Sequence, residues 1–346
     1  LTAESSTSTN PIVFTSVNPS NSSDQWGAIR FTEGSSGSLK NCEINKGKYG
    51  IYAYGGSASA SVDNCIVSNN STDGIYSAYY SSPSVINSTI TGNGRYGILL
   101  HQNYLFTATT TDNVISSNVS GGISINSSPA VISGNTITNN EGHGITTSGS
   151  ERPTITSNTI TGNSNWGIYG PSGDTTSNVI QGNGGGGMGG GASSVTNNTI
   201  TGNTGGHGVE GSVTGVVSGN TIRGNSGDGI NGSSATTTNN VITGNTGDGI
   251  EATVTNAISD NTITTNSGDG IKGYAGTITN NTITGNSLNG IRTEPQSASN
   301  QSVITYNAIT GNGQDGIYMT YYGASSIAHN TITGNVGDGI EYYNQY

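Results

Sequence analysis

With 346 residues, of which 30% are hydrophobic, 8% charged and 56 glycine, the chain has the composition of a disordered polymer unless a repeat organises it. Nine Lys and Arg against 20 Asp and Glu give a net charge of -11, which excludes nucleic acid and anionic membrane surfaces as partners. No run approaches the roughly 18 uninterrupted apolar residues of a membrane helix, so no membrane span is expected.

Residues 1–28 lie outside any period but contain the strand-like run Pro11-Ile12-Val13-Phe14-Thr15-Ser16-Val17, which reads as a strand-addition or capping arm. The chain starts at Leu1 without Met or a charged-then-apolar leader, as a mature exported protein does, so an extracellular or cell-surface location is expected. Residues 29–346 then carry one repeat. Its first anchor is a Gly-Ile dipeptide with Ile51, Ile75, Ile98, Ile123, Ile145, Ile168, Ile230, Ile250, Ile271, Ile291, Ile317 and Ile340, Met188 and Val209 filling two turns, at gaps of 20 to 26 residues. A second anchor is Asn-x-Ile, as at Ile137, Ile160 and Ile263, and a third β-branched residue precedes it by five, as at Ile132, Ile155 and Ile258. Each β-branched residue has polar neighbours on both sides, the pattern of a short strand with one inward side chain. Three such strands joined by Gly- and Asn-rich corners predict an all-β solenoid of about fourteen coils, stacked about 4.8 Å apart and each burying its Ile trio only against its neighbours.

Within this frame Cys42 and Cys65 occupy one slot a coil apart, a spacing that permits a disulfide in an oxidising compartment or leaves two aligned free thiols. Tyrosines gather early (Tyr49, Tyr52, Tyr54, Tyr76, Tyr79, Tyr80) and late (Tyr318, Tyr321, Tyr322, Tyr342, Tyr343, Tyr346). A sugar-binding platform accounts for one cluster and contact between rod ends for both. Three residues after the Asn-x-Ile isoleucine stands a second Asn: Asn93, Asn118, Asn140, Asn163, Asn183, Asn203, Asn225, Asn245, Asn266, Asn286, Asn312 and Asn335. A stacked amide column of this kind can satisfy backbone groups at a buried bend, so a structural asparagine ladder is expected. The glycine before each Gly-Ile isoleucine, as at Gly229, Gly249, Gly270 and Gly339, supplies positive φ or a close backbone approach.

The residue before Gly-Ile is polar and variable. Asp228, Asp248 and Asp269 form a column there, with Asn289 interrupting it before Asp315 and Asp338. Identical placement on consecutive coils marks a repeat feature. Calcium is the one metal such a column suggests, although the Gly-Gly-x-Gly-x-Asp signature is missing. After the isoleucines come Glu251, Lys272 and Arg292 on adjacent coils, either a solvated cross-coil ion pair or, with Asp269, the beginnings of a site for a uronate.

Segments such as Asn220-Thr221-Ile222-Arg223-Gly224-Asn225-Ser226-Gly227-Asp228-Gly229-Ile230 resemble the repeat of the right-handed parallel β-helix (pectate-lyase-like) superfamily over residues 29–346. That resemblance implies a single-stranded right-handed helix with three short strands per coil. The superfamily includes polysaccharide lyases, polygalacturonases, uronan epimerases, phage tailspikes and non-catalytic surface proteins. Gly142-His143-Gly144-Ile145, Gly206-His207-Gly208-Val209 and Thr72-Asp73-Gly74 resemble polygalacturonase elements, but the adjacent Asp pair and the Arg-x-Lys anchor of that family have no counterpart here. The main functional expectation is a secreted structural subunit, a homopolymer stacked end to end through Ile12, Val13, Phe14 and the late tyrosines Tyr342, Tyr343 and Tyr346. The alternative is a carbohydrate-active enzyme or carbohydrate-binding β-helix with a polysaccharide partner.

Overall fold

A computed structural model describes residues 1–17, 25–294, 301–320 and 324–343; Tyr321, Tyr322 and Tyr346 lie outside the described residues. Among these the chain is all-β, a parallel solenoid of about fourteen turns with three strands per coil and no helix. It divides into two compact units, Leu1–Gly173 and Asp174–Tyr346.

In the first unit the coils stack like on like. Strand Tyr96–His101 lies beside Gly121–Asn126 with Ile98 opposite Ile123 and Leu100 opposite Ile125. Ala108–Thr111 pairs with Ala130–Ser133, and Val114–Ser116 with Thr136–Thr138, which sets Ile115 against Ile137. All five of these isoleucines, with Leu100, are buried, so each apolar strand residue is sealed by its equivalents above and below. At the N-terminal edge Thr2–Glu4 pairs with Ser36–Lys40, and Ile12–Phe14 pairs with Cys42–Asn45. These two strands add a turn to the chain's own first coil.

The second unit follows the same plan with one change of detail. In three consecutive coils the first two strands fuse into one bent strand, Ile230–Thr238, Ile250–Ser259 and Ile271–Thr279, with register shifts between Ser234 and Thr236 and between Val254 and Ala257. Where the corner is longer the strands separate again, as Ile291–Thr293 and Ser302–Thr305.

Two corners of most coils are closed by asparagine. In the ladder predicted from sequence, Asn118 Oδ1 accepts the backbone N–H of Asn93 at 3.1 Å and its side-chain amide at 2.9 Å, while Asn118 Nδ2 donates to Asn140 Oδ1 and to the Ile90 carbonyl. The same rungs recur from Asn183 to Asn335 in the second unit, and in the first unit the ladder reaches one coil further back, to Asn70. A second ladder, not anticipated, uses the Asn of Asn-x-Ile itself: Asn113, Asn135 and Asn158 in the first unit and Asn178, Asn198, Asn220, Asn240, Asn261, Asn281, Asn307 and Asn330 in the second. Immediately before each ladder asparagine the chain turns through the left-handed region, at Gly244 (φ 64) before Asn245 and Asn239 (φ 57) before Asn240. Positive φ therefore belongs to this glycine. The glycine before Ile, such as Gly249, is there for close approach, because a Cβ would run into Ile263 and the Gly270 carbonyl.

Cys42 and Cys65 belong to the second ladder, where they stand as two aligned free thiols. The Cys42 N–H points at Cys65 Sγ at 3.4 Å, the Cys65 N–H donates to Ser88 Oγ at 3.0 Å, and the Ser88 N–H donates to Asn113 Oδ1. Each sulfur is held in register by this column and by backbone carbonyls, and burial pushes the Cys65 thiol up to about 12.

Candidate functional site

The residue before Gly-Ile starts from a repeat constraint. Its backbone N–H faces the preceding coil and needs an acceptor there, and the side chain of the equivalent residue supplies it. Asp248 N–H donates to Asp228 Oδ1 at 2.6 Å, Asp269 N–H to Asp248 Oδ1 at 2.6 Å, Asn289 N–H to Asp269 Oδ1 at 2.8 Å and Asp338 N–H to Asp315 Oδ1 at 2.6 Å. The aspartate column is thus a third ladder, and Asn289 serves in it as well as an aspartate does. It is also buried: Asp228, Asp248 and Asp269 are 6%, 8% and 1% exposed.

The histidines hold the same post. His143 Nδ1 accepts the Trp166 N–H at 3.2 Å and His207 Nδ1 accepts the Asp228 N–H at 2.9 Å. Asp73, of the Thr-Asp-Gly element, accepts the Tyr96 N–H at 3.1 Å. The three polygalacturonase-like segments are therefore rungs of one repeat slot. His207 Nδ1 also lies 3.1 Å from Asp228 Oδ2. One nitrogen cannot accept and donate at once, so protonating His207 exchanges the bond from the Asp228 N–H for one to the Asp228 carboxylate.

Burying several carboxylates in one column separates their acidities. Burial pushes Asp228 up, but the His207 and Asn231 hydrogen bonds and the Asp248 N–H outweigh it and hold the group below its ordinary value. Asp248 is pushed up to about 6, first by burial and further by the charges of Asp269 and Asp228. Asp269 is raised by burial in the same way.

Beside this ladder runs an outward column in register, Asn231, Glu251, Lys272 and Arg292. Lys272 Nζ lies 2.7 Å from Glu251 Oε1 and 3.6 Å from Asp248 Oδ2, which links the two columns. Arg292 turns to Glu294, just past the end of its own strand, at 2.6 Å and lies over the Tyr318 ring, so it does not join the Glu251–Lys272 pair. A second outward column, Ser233, Thr253 and Tyr274, stands two residues on. Between the two, Gly232, Ala252 and Gly273 have almost no side chain, and a trough of about 320 Å³ opens over them. Its walls thus offer a cation, carboxylates, hydroxyls and one phenol ring.

The suggested calcium ligands do not gather as expected. Asp228 and Asp248 lie with Glu251, their nearest oxygens within 4.8 Å of one another, whereas Asp269 stands outside the group. Lys272 already supplies the positive charge between Asp248 and Glu251. The assembly candidates are more dispersed. Ile12, Val13, Tyr342 and Tyr343 are exposed, and Phe14 is half-buried.

A family model described as a right handed beta helix region matches residues 4–160, 144–277 and 256–346. No curated protein matches the chain. Among solved structures, a point mutant of the periplasmic alginate epimerase AlgG aligns over 97% of this chain and 78% of its own at 15% identity, with a TM-score of 0.51. The A-module of the Azotobacter vinelandii mannuronan C-5 epimerase AlgE4 covers 93% of this chain and 90% of its own at 14% identity, with a TM-score of 0.39. Likeness at these identities is likeness of fold.

Proposed function

The chain belongs to the right-handed β-helix family, and on that premise we propose that it is a carbohydrate-active β-helix working outside the cytoplasm, engaging an acidic polysaccharide over the trough of the second unit. The observation that carries this reading is Lys272, a partly exposed ammonium at the trough wall held by two carboxylates of the preceding coil. A uronate carboxylate competes with Glu251 for that ammonium, and Tyr274 and Thr253 offer a ring face and a hydroxyl to the sugar. Asp248 beside it is the carboxyl with a pKa of about 6, so it is the group able to hold or release a proton near neutral pH. Asp269 is the weaker candidate, because it is hidden in the ladder with its oxygen on Asn289. The likeness to an alginate epimerase makes polyuronates the polymers to try first.

This reading is preferred to the end-to-end fibre, whose proposed bridging strands are spent on pairing with the chain's own first coil. The test is incubation of the full chain with alginate and with polygalacturonate, reading binding by calorimetry and exchange at C5 by NMR in heavy water. Binding weakened about tenfold by Lys272→Ala supports the proposal. Absence of binding and exchange with either polymer overturns it.

A further inference from the structure

The first unit carries a second surface that the trough does not explain. Tyr49, Tyr52, Tyr54, Tyr76 and Tyr79 form one connected set of rings, all on two adjacent coils. Tyr52 stacks on Tyr76 at 4.8 Å and 15°, and on Tyr54 at 6.0 Å and 14°. Tyr49 meets Tyr52 edge-on at 5.1 Å, and Tyr54 meets Tyr79 at 4.9 Å. The register explains the stack, since Tyr52 and Tyr76 each follow a core isoleucine on paired strands and so project side by side. All five rings are half-buried or exposed, an unusual use of aromatic area in a chain with only 6% aromatic residues. Tyr79 and Tyr80 sit consecutively in the left-handed region at the corner beside the cluster, with φ of 55 and 67.

Cations flank the rings. The Arg30 guanidinium lies 4.8 Å over the Tyr52 ring and Lys48 lies 5.8 Å from that of Tyr49. Five of the nine Lys and Arg residues, Arg30, Lys40, Lys46, Lys48 and Arg95, fall within residues 30–95 of a chain whose net charge is -11. Lys40 is paired with Asp63 and Arg95 with Asp73, whereas Arg30 and Lys48 have no carboxylate partner among the described residues. A cleft of about 240 Å³ opens between them, floored by Gly27 and Ala28 and walled by Tyr49 and Tyr52.

We infer that this tyrosine platform is a second glycan-binding site, taking a uronate-bearing segment of a polysaccharide. The sugar lies across the outward edges and phenol hydroxyls of Tyr52, Tyr54 and Tyr76, and a uronate carboxylate lies in the cleft between Arg30 and Lys48. The stacked rings present a row of edges and phenol hydroxyls to the sugar, and the cations without carboxylate partners select an anionic chain over a neutral one. The inference rests on the carbohydrate reading above and adds a site in the other unit.

The experiment is calorimetry of the full chain with a purified oligouronate and, as control, a neutral gluco-oligosaccharide of equal length, in the Lys272→Ala background. Oligouronate binding that survives Lys272→Ala and weakens about tenfold or more on adding Tyr52→Ala supports the platform. Should Tyr52→Ala fail to fold by circular dichroism, the double variant Arg30→Gln, Lys48→Gln takes its place, with a loss that shrinks in high salt. Binding that persists undiminished in these variants overturns the platform, as does wild-type binding that Lys272→Ala removes entirely, which leaves the trough standing. Equal binding of the neutral oligosaccharide overturns the uronate assignment. Failure of the wild-type chain to bind either sugar sinks the carbohydrate reading and the platform with it.

Discussion

Asp228 Oδ1 accepts the backbone N–H of Asp248, 20 residues further along the chain, at 2.6 Å. That bond makes an acidic column into part of the fold and sets the cost of its charge. Folded Asp248 keeps its proton to about pH 6, whereas the ordinary value is 3.8. The sign follows: ionised Asp248 destabilises the folded chain, the penalty grows as pH rises from about 4 to 6, and it is constant above, at about 3 kcal/mol. Asp248→Asn retains an acceptor oxygen for the Asp269 N–H. Urea unfolding midpoints of Asp248→Asn are therefore expected to exceed those of the parent at pH 8 and to match them at pH 4. A lower midpoint at pH 8 refutes this account.

The amide ladders predict a sharp contrast between neighbouring residues. Asn118→Ala deletes four side-chain hydrogen bonds in a fully buried corner and strands the Asn93 N–H and the Ile90 carbonyl. The expected loss is about 4 kcal/mol. Thr136→Ala, on an exposed strand position, is expected to change stability by less than about 0.5 kcal/mol in the same thermal or urea scan.

Two glycines five residues apart should respond differently. Gly249→Ala forces a Cβ into Ile263 and the Gly270 carbonyl and is expected to cost several times more than Gly244→Ala, which meets open space and carries only the left-handed backbone penalty of about 1 kcal/mol. Gly244→Asn should be milder still, because Asn139 already adopts φ 54 at the equivalent corner. Relative melting temperatures of the three variants check the order.

The thiols give a readout by reactivity. Cys65, buried and raised to about 12, is expected to resist a thiol reagent at pH 8 in the folded chain, and both cysteines to react at once in urea. Cys65→Ser should fold normally, because Ser88 does the same work one coil on. Rapid labelling of both thiols in the native chain contradicts the ladder geometry.

How much was legible differs residue by residue. Ile98, Ile123 and Ile145 announce the coil because a β-branched residue between polar neighbours at a fixed period has one place to go. Asn113 and its column carry the same signal, but Asn-x-Ile reads as a spacing marker until the corner geometry turns the amide inward onto the next coil. The placement of Asp228, Asp248 and Asp269 in one slot is plain in the chain; their burial is not, because it depends on neighbouring coils. Glu251 and Lys272 are neighbours by register, whereas the pairing of Arg292 with Glu294, two residues on, is a matter of rotamer. The fused strand Ile230–Thr238 depends on a corner too short to break pairing, a length effect without a motif.

Periodicity alone therefore determined the all-β coil, the inward isoleucines and one amide ladder, since each follows from which residues recur at which spacing. Stacking decided what the recurring polar residues do. Only when coil lies on coil does an aspartate side chain meet the next backbone N–H, a cysteine become a ladder rung, and a lysine find two carboxylates of the preceding coil. Those outcomes depend on distances of a few ångströms between residues some twenty apart, and a spacing pattern does not contain them.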